Sequence, residues 1–278
     1  MNSAVQVRGL SKSYGQLQAV RDIDLDVGYG EVFAILGPNG AGKSTTIEIL
    51  EGHRKRDSGH LSVLGEDPGT AGRSWRAKIG IVLQEVSDAG MLTVSETVGM
   101  FAKCYGAARV PDEALELVGL GSVSESKVRT LSGGQRRRLD VALGIINLPE
   151  LLFLDEPTTG FDPEARLRFW DLIRLLANAG TTILLTTHYL EEAAALADRV
   201  AVITGGQVVA VDSPQNLIHY VSTAATVRWR TGDHQHEVET EQPTDLIRNC
   251  SADGAEMAEL TVSRPTLEDA YLQLIGSS

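Results

Sequence analysis

Residues 32–45 read Val32-Phe33-Ala34-Ile35-Leu36-Gly37-Pro38-Asn39-Gly40-Ala41-Gly42-Lys43-Ser44-Thr45. An unbroken apolar run of this kind suits a parallel strand covered on both faces. It feeds directly into a glycine-rich loop, and a helical pattern begins near Gly42. The loop matches G-x-x-x-x-G-K-[ST], and the chemistry explains the spacing. Glycines let backbone N–H groups curl around phosphates at a helix N-terminus, Lys43 neutralises the β/γ oxygens, and Ser44 offers a hydroxyl to Mg²⁺. Strand, loop and helix in this order predict a P-loop nucleotide site on an α/β core.

Upstream, Val5 and Val7, then Ile23, Leu25 and Val27, alternate with polar residues. They read as half-buried strands of an antiparallel flap, with Tyr14-Gly15 in the turn between them. Downstream, Ile79–Leu83, Leu151–Leu154 and Thr182–Leu185 are further buried-strand candidates. Between Gln84 and Pro149 the period becomes helical: Val94, Val98, Phe101, Ala102 and Tyr105 share one face, and Leu139, Ala142, Leu143 and Ile146 repeat the pattern. A helical insert spanning about 87–150 is therefore expected inside the α/β core. Val200–Ile203 and Val208–Val211, joined by Gly205-Gly206, predict a hairpin whose end is punctuated by Asp212-Ser213-Pro214. From about Ile218 the chain turns polar. Strand-like pieces remain at Thr226–Trp229 and Met257–Val262, and a last helix is capped by Thr266 with Asp269 three residues on. The expected organisation is a main domain over 1–217 and a small C-terminal α+β appendage over 218–278.

The chain has 278 residues, 42% of them hydrophobic and 22% charged, as a folded globular protein does. Its 25 basic and 37 acidic side chains give a net charge of −12. Such a field repels nucleic-acid phosphate, so a nucleic-acid partner is not expected. Only Cys104 and Cys250 occur, which excludes a disulfide framework and fits a reducing compartment. No run is long and apolar enough for a membrane span, and Met1-Asn2-Ser3 opens no signal-peptide pattern. The expectation is a cytoplasmic chain that reaches a membrane only through a partner.

Two further motifs narrow the chemistry. Leu151–Leu154 ends in the adjacent carboxylates Asp155 and Glu156. Strand alternation would send them to different tasks, one to the Mg²⁺ shell and one to face a water. Kinases, GTPases and motor ATPases share this pair with the P-loop, although a guanine-specifying Asn-Lys-x-Asp is absent. Leu131-Ser132-Gly133-Gly134-Gln135 then supplies a second anion-binding helix start: Ser132 is a good N-cap, and Gly133 and Gly134 leave amides exposed. Two phosphate-binding helix starts for one nucleotide per subunit invite a dimer.

With this pentapeptide the chain resembles the ATP-binding-cassette family, over about residues 4–217 and with every diagnostic motif in order. The resemblance implies a P-loop NTPase with a RecA-like core, an antiparallel β subdomain and a helical signature subdomain. It also implies roles: Tyr14 stacking on adenine, Gly37–Thr45 holding phosphates, Gln84 as Mg²⁺ and coupling glutamine, Leu131–Gln135 as signature, Asp155 as Mg²⁺ ligand, Glu156 as catalytic base, Asp162 in a dimer-contact loop and His188 as γ-phosphate switch. Taken alone, Tyr14 is a turn aromatic, Gln84 a polar residue after a strand and His188 a strand-end residue. Arg136-Arg137-Arg138 reads as a solvated, dimer-facing helix surface, and Trp75, Trp170 and Trp229 read as packing residues. One departure stands out, Phe161 where the family usually has leucine, which keeps an apolar contact while altering how closely two subunits meet.

In that family two nucleotide domains meet head to tail, each ATP lying between the phosphate loop of one and the signature of the other. The resemblance therefore implies an ATP-hydrolysing homodimer at the cytoplasmic membrane face. It would dock on integral-membrane permease subunits through the surface near Gln84–Thr93 and the helical insert. Arg264–Leu272 looks like the tail of the drug- and antibiotic-export group, of which daunorubicin-resistance ATPases are one example. An importer ATPase, or a non-transport cassette acting on nucleic acid or ribosomes, is the alternative.

Overall fold

Alternating apolar residues pair as expected near the N-terminus. Strand β1 (Ser3–Tyr14) runs antiparallel to β2 (Leu17–Gly28), with Val5 opposite Val27 and Val7 opposite Leu25, so the apolar side chains share one buried face. The computed structural model describes residues 3–82, 90–106, 108–220, 224–251 and 257–276. Strand β3 (Val32–Leu36) is buried at all five positions and leads through the glycine-rich loop into α1 (Lys43–Leu50). Strand β4 (Ser58–Val63) joins the free edge of β1, completing a three-stranded antiparallel sheet in the order β2-β1-β4.

A short helix α2 (Arg73–Arg76) precedes β5 (Ile79–Val82) and seats Trp75, which is fully buried and donates Nε1–H to Val63 O at 2.8 Å. The helical insert then supplies α3 (Val94–Ala102), α4 (Pro111–Leu117) and α5 (Gly133–Ile145). Val94 and Val98 are buried as the periodicity requires, while α3 ends three residues short of Tyr105. Strand β6 (Leu151–Asp155), helix α6 (Pro163–Asn178), strand β7 (Thr182–Thr187), helix α7 (Leu190–Leu196) and the hairpin β8 (Arg199–Thr204) and β9 (Gln207–Asp212) complete the core. Six strands form one sheet in the order β5-β6-β7-β3-β8-β9, with parallel pairing from β5 through β8. Gly205 and Gly206 turn the hairpin with φ of +55° and +84°, the backbone that a two-residue turn demands.

The order places β7 between β6 and β3. Three neighbouring strands therefore deliver their carboxyl ends to one place, where ligands of open α/β sheets gather. Helix α5 is held against the β5 edge by a close backbone approach: a Cβ on Gly80 would lie 2.0 Å from Gly144 O. Asn147, just past the helix, donates Nδ2–H to Ala77 O at 3.0 Å and to Ile79 O at 2.7 Å.

The chain divides into two compact units between Val211 and Asp212, ahead of the expected boundary after residue 217. The physical reason is α8 (Pro214–His219), which packs against the final helix of the second unit. That unit continues with β10 (Ala225–Thr231), β11 (His234–Thr240), α9 (Pro243–Cys250), β12 (Ala258–Ser263) and α10 (Leu267–Gly276). Its sheet is antiparallel in the order β11-β10-β12. The Thr266 cap forms: its hydroxyl accepts from Asp269 N at 3.3 Å, and the Asp269 carboxylate accepts from Thr266 N at 2.8 Å. Both cysteines are free, and among the described residues no helix is long and apolar enough to cross a membrane.

Candidate nucleotide site

The loop between β3 and α1 needs glycine for two separate reasons. Gly42 has a φ of +100°, and a Cβ there would fall 2.3 Å from Ala19 O. Gly42 is also the N-cap of α1 and supplies no side-chain hydrogen bond, so the first amides of the helix face outward uncapped. Lys43 follows, 4% exposed, and its ammonium donates to Gly37 O at 2.9 Å and Pro38 O at 3.2 Å while lying 3.3 Å from Glu156 Oε1. Around it opens a cleft of about 390 Å³ whose lining includes Tyr14, Asn39, Gly40, Ser44, Thr45 and Glu156. Tyr14 stands at the rim, 40% exposed, with Lys12 Nζ 5.7 Å and Arg54 Cζ 5.3 Å from its ring centre.

At the end of β6 the two carboxylates diverge, although simple strand alternation is not the cause. Asp155 is the last strand residue, and Glu156 turns the chain with a φ of +44°. A left-handed backbone at a non-glycine residue costs ~1–3 kcal/mol and persists only where its surroundings hold it. One hydroxyl does much of that holding. Thr186 of β7, fully buried, donates to Asp155 Oδ1 and accepts from Glu156 N at 3.0 Å. Ser44 Oγ lies 3.3 Å from the same Asp155 oxygen. The Glu156 side chain thereby reaches Lys43 on one side and His188 on the other. His188 Nδ1 is 3.2 Å from Glu156 Oε2, outside hydrogen-bond alignment, and its ring lies 4.1 Å from the Tyr189 ring.

The strand order thus brings together Lys43, Ser44, Asp155, Glu156 and His188. Gln84 lies outside the described residues. The pentapeptide is not part of the cleft lining. Ser132 caps α5 by accepting from Gln135 N at 3.2 Å, and Gln135 Oε1 accepts from Ser132 N at 2.9 Å, a reciprocal capping box. A Cβ on Gly133 or Gly134 would meet nothing within 4 Å, so this helix start faces open space.

The structure adds to one expectation and corrects another. Phe161 turns into its own chain, 8% exposed, with its ring edge-on to Phe169 at 5.9 Å, because the adjacent Asp162 N-caps α6 by accepting from Ala165 N at 2.8 Å. Nor is the arginine triplet a uniformly solvated face. Arg137 is 6% exposed and donates Nη2–H to Asp155 O at 2.9 Å and Nε–H to Pro157 O at 3.1 Å. Burial pulls its pKa down, opposed by Asp140, Asp155 and Glu192. Arg138 donates to Gly119 O at 2.9 Å within the insert. Helical spacing held the signal, since Arg137, Val141 and Gly144 fall at i, i+4 and i+7 on the buried side of α5. Thr186 was missed as well; its only trace is a buried hydroxyl at the end of the strand beside Asp155.

A second cleft of about 510 Å³ adjoins the insert, lined by Glu51, Ile79, Ile81, Phe101, Tyr105 and Leu143 among others. The Glu51 carboxyl is pushed up to about 8, first by burial and then by the negative charges of Asp155 and Glu48. Glu192 in α7 is likewise raised, first by burial.

Comparison with known proteins agrees with this geometry. The ABC transporter family model matches residues 20–159, half of the chain. The daunorubicin/doxorubicin resistance ATP-binding protein of Streptomyces peucetius is 43% identical over 244 residues, covering 86% of this chain and 74% of that protein. The linearmycin resistance ATP-binding protein of Bacillus subtilis is 32% identical over 98% of each chain, so its match includes the C-terminal unit. A dimeric ATP-binding cassette in a post-hydrolysis state, bound to ADP and phosphate, superposes with a TM-score of 0.68 at 25% identity, covering 75% of this chain and 98% of that one. A P-loop cleft built by three adjacent strand ends, a separate signature helix and these relatives together place the chain in the ATP-binding-cassette transporter family, as one of its ATPases.

Proposed function

We propose that two copies of this chain close head to tail on two ATP molecules and that closure and hydrolysis drive export of a drug- or antibiotic-like compound through separate permease subunits. The observation that carries this reading is the separation of the two helix starts: the phosphate cleft surrounds Lys43, while the signature end of α5 faces open space. In the closed pair the γ-phosphate of one ATP meets Lys43 and His188 from one copy, and Ser132 and the Gly134 amide from the other. Tyr14 stacks on the adenine. Ser44 Oγ and Asp155 Oδ1 converge as hard oxygen donors and would hold Mg²⁺ together with Gln84. Bound Mg²⁺ supplies neutralising charge at the phosphate oxygens. ATP phosphates draw the Lys43 ammonium away from Glu156, and the freed carboxylate takes a proton from the attacking water.

The exporter reading is supported by the resistance functions in the names of the two relatives. The second cleft, beside the insert, offers apolar side chains such as Ile79, Ile81, Phe101 and Leu143 that a permease helix would need at the cytoplasmic membrane face. Glu156→Gln is the direct test. The variant should bind ATP and become dimeric by sedimentation with turnover lowered at least about 100-fold. A variant that stays monomeric with ATP, or hydrolyses normally, contradicts the reading. Stimulation of the wild-type ATPase by RNA or DNA would favour a non-transport role instead.

A further inference from the structure

Glu156 is held on its backbone from two opposite elements. From β7, the Thr186 hydroxyl accepts from Glu156 N. From α5, the Arg137 guanidinium donates to the carbonyls of Asp155 and Pro157, the residues on either side of Glu156. A planar guanidinium presents its N–H groups in a rigid fork, so a displacement of Arg137 moves both carbonyls and with them the left-handed turn between them.

The helix that bears this fork also bears the signature. Gly133 and Arg137 lie one turn apart on the same α-helix, and the far end of that helix is fixed to β5 by the Gly80–Gly144 contact and by Asn147. Any change in how the signature end seats therefore reaches Arg137 before it reaches the anchored end. Buried arginines without partners are costly, and this one is spent on two carbonyls that flank a catalytic candidate.

We propose that Arg137 is a positioning residue that transmits the seating of the signature helix on a partner copy's nucleotide to the turn that aims Glu156 in its own copy. Each copy then hydrolyses its own ATP at the full rate only when its signature has engaged the other. The transmission rests on the ATP-sandwich reading above, whereas the hold on Glu156 is a feature of one chain.

The test is a double-mutant cycle on the full-length ATPase. Arg137→Lys keeps charge and stem but cannot fork, and Arg137→Gln keeps a donor without the charge. Both should lower kcat roughly 10- to 100-fold with the KM for ATP changed less than about threefold, the signature of a misaimed group and not of lost binding. Melting temperatures of both variants identify any that fail to fold. Ser132→Ala should lower kcat by itself, and combined with Arg137→Lys it should add little, because both act through one turn. Equal losses in kcat and affinity, or Arg137 variants with normal kcat, would overturn the positioning role. Losses that simply multiply would overturn the transmission. An inert Ser132→Ala would instead remove the sandwich reading while leaving the effect of Arg137 on kcat to stand.

Discussion

Two helices of this chain begin at glycine-rich, anion-seeking termini, and they differ in how the first turn is satisfied. The α1 end has Gly42 as its cap, no side-chain hydrogen bond, and a buried lysine whose donors are already engaged by the loop and close to Glu156. The α5 end closes its own capping box through Ser132 and Gln135 and leaves Gly133 and Gly134 facing open space. The first is a site assembled within one chain by three strand ends. The second is a finished surface with nothing opposite it in its own cleft. A helix end that caps itself is stable without a ligand and is free to serve as a contact face, whereas an uncapped end depends on what binds there.

Adding one methyl group to each end should separate them most sharply. Gly42→Ala meets both an unfavourable φ and the Ala19 carbonyl at 2.3 Å, so a loss of about 2 kcal/mol or more in stability is expected, measured by denaturant unfolding. Gly134→Ala has free space and helical backbone, so its unfolding midpoint should match the wild type or exceed it, while ATP turnover falls because the close approach to nucleotide is lost. Equal destabilisation of the two variants would erase the distinction between an internally packed loop and an open face.

A smaller effect concerns the far end of α1. Glu51 is its C-cap, buried beside Asp155 and Glu48, with His53 Nδ1 3.1 Å from its carboxylate. Its pKa of about 8 in the folded state lies above the ordinary 4.5, so between those values the folded chain binds the proton that the unfolded chain has released. Stability due to this group is thus fully present below pH 4.5 and is lost as pH rises toward 8. Glu51→Gln should leave the melting temperature near that of wild type at pH 5 and raise it at pH 9. A wild-type and variant pair whose difference does not change with pH would show that Glu51 stays ionised in the fold.

Local pattern explains why so much of the first region was legible. An apolar strand, a glycine-rich loop and a helix start are written within about a dozen consecutive residues, and the buried runs of β6 and β7 are equally local. The turn at Glu156 was not legible, because its φ is imposed by Thr186 and Arg137, residues distant in the chain. Arg137 itself was obscured by its neighbours: three consecutive arginines read as one charged face until helical period separates the middle one. Strand β11 escaped notice because its sequence, His234-Gln235-His236-Glu237-Val238-Glu239-Thr240, has almost no apolar content. It is held instead by cross-strand pairs, with Glu237 accepting from Arg228 at 2.8 Å and His236 stacked on Trp229 at 4.9 Å.

The central claim is that the cleft around Lys43 in one copy is completed by the signature end of another, and complementation tests it most directly. One chain would carry Lys43→Ala and the other Ser132→Arg, each inactive alone. Mixed, they form a heterodimer in which the intact phosphate cleft of the second faces the intact signature of the first, so ATP hydrolysis should return on mixing, below the wild-type rate because the second chain's own signature is blocked. If every mixing ratio stays as inactive as the separate variants, the two helix ends do not share a nucleotide across copies and the account is wrong.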